Sequence, residues 1–80
     1  KDAEENIVRI QIRKDVRRLI SELPEDQREV VILRHYTGLS FKEIADITGV
    51  SINTALGRMR YALINMRKIM QERKINLTVN

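Results

Sequence analysis

Between Ser51 and Lys68 the sequence reads SINTALGRMRYALINMRK, and its hydroxyl, amide and guanidinium groups recur at spacings that a helix brings to one side. On a wheel of about 100° per residue, Asn53, Gly57, Arg60, Ile64 and Lys68 fall together, flanked by Thr54, Tyr61 and Arg67. Short polar groups come first along that face and cations follow. A helix entering the major groove end-first needs this order: backbone amides and small side chains at the tip approach bases and phosphates, while longer Arg side chains span to the backbone or to guanine edges. Ile52, Ala55, Met59, Ala62, Leu63, Met66 and Met70 lie on the other side and are the expected core face. Each residue also has a plainer reading. Asn53 and Thr54 suit any first helical turn, Arg58 sits near the core edge where it can bridge to an acidic neighbour, and Tyr61 can pack over a helix edge. Gly57 inside a helix costs roughly 1 kcal/mol relative to Ala. That cost implies close approach by a groove wall or a neighbouring helix.

Other chemistries find no residues. The chain has no cysteine, so thiolate zinc ligation and a cysteine nucleophile are excluded, and His35, its single histidine, cannot build a metal site alone. No carboxylate pair with a base, no phosphate-binding loop and no metal set occurs, so neither catalysis nor a cofactor is expected. His35 is most simply a surface residue at a helix end, and the methionines are core filler.

The charge distribution points the same way. Residues 1–50 carry a net −1, whereas residues 51–80 carry +5, out of +4 for the whole chain. A basic excess gathered in the last third suits a polyanion-binding face, although a charged exterior needed only for solubility looks similar. No apolar run reaches the length of a signal core or membrane span, so the chain reads as soluble and cytoplasmic, with no membrane insertion. Eighty residues are room for one domain with a small, aliphatic core. Starting at Lys1 rather than Met, it reads as a single domain, 1–80, cut from a longer protein.

Four helices must position these groups. Ile7, Val8, Ile12, Val16, Leu19, Ile20 and Leu23 give residues 2–22 an amphipathic period, and Leu23-Pro24 ends that helix. A second helix follows from Glu25 to about Tyr36, acidic at its start and with Arg34 and His35 at its end, as the helix dipole favours. Val30, Val31 and Leu33, with Ile32 beside them, supply its buried side. Gly38 can take the left-handed conformation that ends it. Ser40-Phe41-Lys42-Glu43 has the spacing of a capping box opening a short third helix with Phe41, Ile44, Ala45 and Thr48 on one stripe. Gly49 then permits a tight turn, Val50 and Ile52 bury apolar surface beneath it, and Ser51 caps the fourth helix. Ala45 is small where two helices cross. The tail from Ile75 to Asn80 is expected to fray. The whole is an all-α, four-helix domain with a helix-turn-helix over about residues 41–72 and no wing.

Residues 23–63, LPEDQREVVILRHYTGLSFKEIADITGVSINTALGRMRYAL, resemble region 4 of bacterial sigma-70 family sigma factors, most nearly the extracytoplasmic-function group. That group runs L-P-x-x-Q-R-E-V, then L-R, then G-[LM]-[ST]-[YF]-x-E-I-A, then G-[IV]-[ST]-x-x-T-[VA] and a basic helix. The resemblance implies a domain that binds double-stranded promoter DNA at the −35 element and docks on the β flap of RNA polymerase core. Carried over residue by residue, it sets Ser51, Asn53, Thr54, Arg58, Arg60 and Tyr61 along the DNA, with Gly57 where the family often has a small residue. Arg34 matches the L-R arginine, a candidate phosphate contact as well as a partner for Glu43, and Lys42 adds a contact from the supporting helix. Leu56 and Tyr61 depart from the family, standing where basic residues are common, and Leu56 could meet a thymine methyl instead.

Two rivals stay open. One is the effector domain of a response regulator, which also carries G-L-S-x-K-E-I-A before its turn. The other is a protein-interaction module for the polymerase flap or an anti-sigma factor, motivated by Ile10, Ile32 and Ile64. Amphipathic helices of this kind can also pair as a homodimer in isolation.

Overall fold

The computed structural model describes residues 2–73, which form α1 (Asp2–Ser21), α2 (Glu25–His35), α3 (Phe41–Thr48) and α4 (Ile52–Arg73). No strand occurs among the described residues, in keeping with the all-α reading. The expected fraying tail lies outside them.

Burial rises along α1. Ile7 is 66% exposed, Val8, Ile12 and Val16 are half-buried, and Leu19 is fully enclosed. The early apolar residues therefore do not mark core. Only the C-terminal part of α1 packs inward, where Val16 and Ile20, with Leu23 just past its end, meet Val31 of α2 and Ala62, Met59 and Met66 of α4. The helix closes on two tight backbone bonds, Glu22 N–H to Leu19 and Leu23 N–H to Ile20. Pro24, at φ −53° and ψ 150°, then launches α2 with no N–H of its own to satisfy, and the Arg28 amide donates to its carbonyl at 2.9 Å.

α2 buries Val30 and Val31, half-buries Leu33 and leaves Ile32 outside. Its end is sealed by the Leu39 amide reaching back to the Leu33 carbonyl at 3.2 Å, around Gly38 at φ +72°. That bond spans six positions, one more than the five of a Schellman closure, and Gly38 within it takes the left-handed conformation.

The capping box of α3 forms as the spacing requires. Ser40 Oγ accepts from the Glu43 amide at 3.1 Å, and the Glu43 carboxylate accepts from the Ser40 amide at 3.0 Å. Gly49 closes α3 in the left-handed region, and both its amide and that of Val50 turn back to the Ala45 carbonyl. Val30, Ile44, Ala45 and Ala55 then form a buried cluster under the turn, with Leu33, Leu39, Phe41, Val50 and Met59 against it. Met59 also packs on the α1–α2 cluster, so one flexible side chain joins the two halves of the core. Alanines at 45 and 55 are what let α3 and α4 approach.

The expected core face of α4 is wider than the real one. Ala55 and Ala62 are buried and Met59, Met66 and Met70 half-buried, but Ile52 is 44% and Leu63 53% exposed. On the wheel these two lie toward one edge of the apolar arc, about 50° and 70° from the mean direction of Ala55, Met59, Ala62 and Met66. With three helices packing on it, α4 is covered only along that centre.

Candidate nucleic-acid interface

The tip of α4 is built by local bonds. Ser51 Oγ accepts from the Thr54 amide at 3.1 Å, its carbonyl accepts from the Ala55 amide at 3.0 Å, and the Ser51 and Thr54 hydroxyls pair at 3.0 Å. The cap fixes where the helix begins and leaves the Asn53 amide pointing outward with the first turn. Asn53 is exposed, and its side chain takes part in no hydrogen bond among the described residues. One turn on, a Cβ added to Gly57 would meet nothing within 4 Å. No neighbouring helix approaches this glycine, which removes one of the two explanations for it and leaves an outside surface. Arg60 and Tyr61 are exposed beyond it, Tyr61 by 61%.

The rest of α4 is steered by three polar ties to residues 22–27. Arg58 Nε lies 3.7 Å from Asp26, Asn65 donates to Gln27 Oε1 at 2.7 Å, and Arg73 holds Glu22 with both guanidinium ends, Nη1 at 2.7 Å. Residues 58, 65 and 73 stand seven and eight apart, two helical turns each, so they share the side of α4 that faces the α1–α2 junction. Asn65 and Gln27 are the residues that sequence reasoning passed over. They pair with each other across 38 positions, and only the repeat of polar residues beside the apolar arc hinted at them.

Of the nine residues singled out, Ser51, Asn53, Gly57, Arg60 and Tyr61 come together on the exposed side of the first three turns of α4. Thr54 is beside them with its hydroxyl engaged by the cap. Arg58 is turned toward α2, the plainer of its two readings. Arg34 donates to the Leu39 carbonyl at 2.9 Å and lies over the Phe41 ring at 5.2 Å, so it braces the α2–α3 loop. Its expected pairing with Glu43 does not form, because that carboxylate is held by Ser40. Lys42 is exposed in the first turn of α3. His35 is exposed, edge-on to Tyr36.

The electrostatics follow from these pairings. Arg58 and Arg73 are matched by acids, whereas neither ion pair among the described residues involves Arg60, Arg67, Lys68 or Lys42. The unmatched cations on α4 lie on its outer side, where a phosphate backbone would replace solvent and counterions. Glu43 is held away from its ordinary value. The Ser40 backbone amide, then the Ser40 hydroxyl, stabilise its carboxylate and lower its pKa, against a weaker opposing effect of burial. Among the described residues no three His, Cys, Asp or Glu side chains are placed to hold a metal ion, and no helix is long and apolar enough to cross a membrane. A shallow groove of about 310 Å³ between α1 and α2 has an apolar floor of Ile20, Ile32 and Tyr36, with Arg17 and Arg28 beside it.

The family model described as sigma-70, region 4 matches residues 13–63, from the middle of α1 through the turns of α4 that carry the exposed polar face. The chain is also similar to the RNA polymerase sigma factor SigV of Bacillus subtilis (strain 168), 40% identical over 53 residues. That match takes in 66% of this chain and 32% of the relative, so the similarity spans about a third of the relative's length.

Proposed function

The chain belongs to the sigma-70 region 4 family, a DNA-binding domain of sigma factors and not an enzyme family, and we propose that it recognises the −35 element of promoters. In this reading it is the C-terminal domain of a cytoplasmic sigma factor of the extracytoplasmic-function type and directs RNA polymerase to its start sites. Family membership over residues 13–63 sets aside the response-regulator alternative.

The observation that carries the proposal is the outer face of α4. Its tip presents Ser51, Asn53 and the bare backbone at Gly57, followed by Arg60 and Tyr61, with Arg67 and Lys68 unmatched by acids further along. Asn and Arg have the donor and acceptor geometry for adenine and guanine edges, and the cations supply phosphate contacts. Lys42 reaches the flanking backbone from α3. Arg34, Thr54 and Arg58 contribute by holding the loop, the cap and the pose of α4. The groove over Ile20, Ile32 and Tyr36, flanked by two arginines, supports docking of an apolar, acidic segment of polymerase core or of an anti-sigma factor on the α1–α2 side.

Binding of the 80-residue chain to duplex DNA across a salt series tests the reading. Four cations on phosphates give a log–log slope of roughly −3 to −4, and Arg60→Ala reduces its magnitude by about one. Arg58→Ala, already turned to Asp26, leaves the slope nearly unchanged. A flat salt response contradicts the proposal.

A further inference from the structure

We infer that Leu56, with Ile52 behind it, is a methyl-reading element: the domain selects thymines by contact with their 5-methyl groups. This rests on the proposed recognition of duplex DNA by α4 and names what that surface reads.

Leu56 is 43% exposed and Ile52 44% exposed, in the first two turns of a helix whose buried side is held by Ala55, Met59 and Ala62. Both belong to neither buried cluster. On the wheel Leu56 stands about 60° from Asn53 and about 40° from Arg60, on the flank where Ile52 precedes it by one turn. The two therefore form a short apolar strip directly beside the polar tip. Gly57, next along the chain, presents no side chain and nothing within 4 Å of where a Cβ would stand. The exposed face thus runs from Leu56 past Arg60 to the bare backbone at Gly57, about 100° of the wheel over which a duplex edge can lie.

Chemistry selects the occupant. A basic side chain here would seek phosphate or guanine, but Leu56 has no donor, so it gains only by covering apolar surface. In the major groove the 5-methyl of thymine is the apolar group that a base pair displays. Exposed leucine and isoleucine flanking Asn53 and Arg60 fit a site in which thymine methyls lie next to hydrogen-bonded purine edges. The described fold encloses neither side chain, since each keeps more than two-fifths of its surface exposed.

The test uses duplexes recovered by selection from a randomised pool, rebuilt with deoxyuridine in place of thymidine one position at a time. The exchange removes the methyl and keeps Watson–Crick pairing. The wild-type chain loses about fourfold in affinity at each methyl that Leu56 or Ile52 covers, the worth of one buried carbon. Leu56→Ala and Ile52→Ala bind thymidine and deoxyuridine duplexes equally at those positions, and circular dichroism of both variants shows the fold retained. Equal wild-type binding at every exchanged position overturns the inference. A steep salt dependence in that same experiment leaves duplex recognition standing, whereas loss of all duplex binding removes both.

Discussion

Replacing Gly57 by alanine separates stability from recognition. The position is interior to α4, has ordinary helical backbone, and has open space where a Cβ would go. Alanine there should stabilise the domain by roughly 1 kcal/mol, because it lowers the conformational freedom of the unfolded chain and meets no steric penalty. For a domain of this size that corresponds to a rise in Tm of about 4–8 °C by circular dichroism. The opposite sign is expected at Gly49, whose surroundings are equally empty but whose φ is +71°: alanine there costs about 1–2 kcal/mol. If the duplex wall lies against the bare backbone at Gly57, the stabilised variant also binds DNA more weakly, by about tenfold for a methyl forced into a close contact. Fluorescence anisotropy on a selected duplex reads this directly. A fall in Tm would refute the claim that nothing approaches Gly57 within the fold. A rise in Tm with undiminished binding would refute the claim that DNA explains the glycine.

Two further outcomes probe the scaffold. Ile44→Ala, at a fully enclosed side chain, should cost about 2–5 kcal/mol and remove much of the cooperative transition in urea, while Ile47→Ala, 64% exposed one turn away, stays within about 0.5 kcal/mol; equal effects would contradict the assigned core. Glu43 has a folded-state pKa below its ordinary 4.5, so its contribution is fully present above that value and is lost as pH falls through the depressed one. Glu43→Gln, which keeps an acceptor for the Ser40 amide, should flatten the acid limb of the stability profile in that range, and unchanged acid sensitivity would show that the carboxylate is not what titrates.

What could be read from the residues was what is made locally. The Ser40–Glu43 box, the left-handed Gly38 and Gly49, the Ser51 cap and the boundary at Pro24 each depend on side chains a few positions apart, and each appears where the spacing requires. The site's outer face was legible for the same reason, since one helix determines which of its residues share a side. Periodicity could not say how much of an apolar arc is covered. Ile7, Ile52 and Leu63 fit the pattern yet lie outside, because a four-helix domain has too few neighbours to enclose every stripe. Pairing across the fold was also hidden. Arg58 could be read as bridging to an acid, but not to Asp26, 32 positions away, and nothing near Asn65 announces Gln27, 38 positions away.

The bonds from Arg58, Asn65 and Arg73 to Asp26, Gln27 and Glu22 have a mechanical consequence. A 22-residue rod about 33 Å long is clamped along its length to a single elbow, so it cannot roll or pitch at one end without loading the other. In the proposed complex, the pose of α4 in a groove would be referred through that clamp to the elbow from which α1 departs.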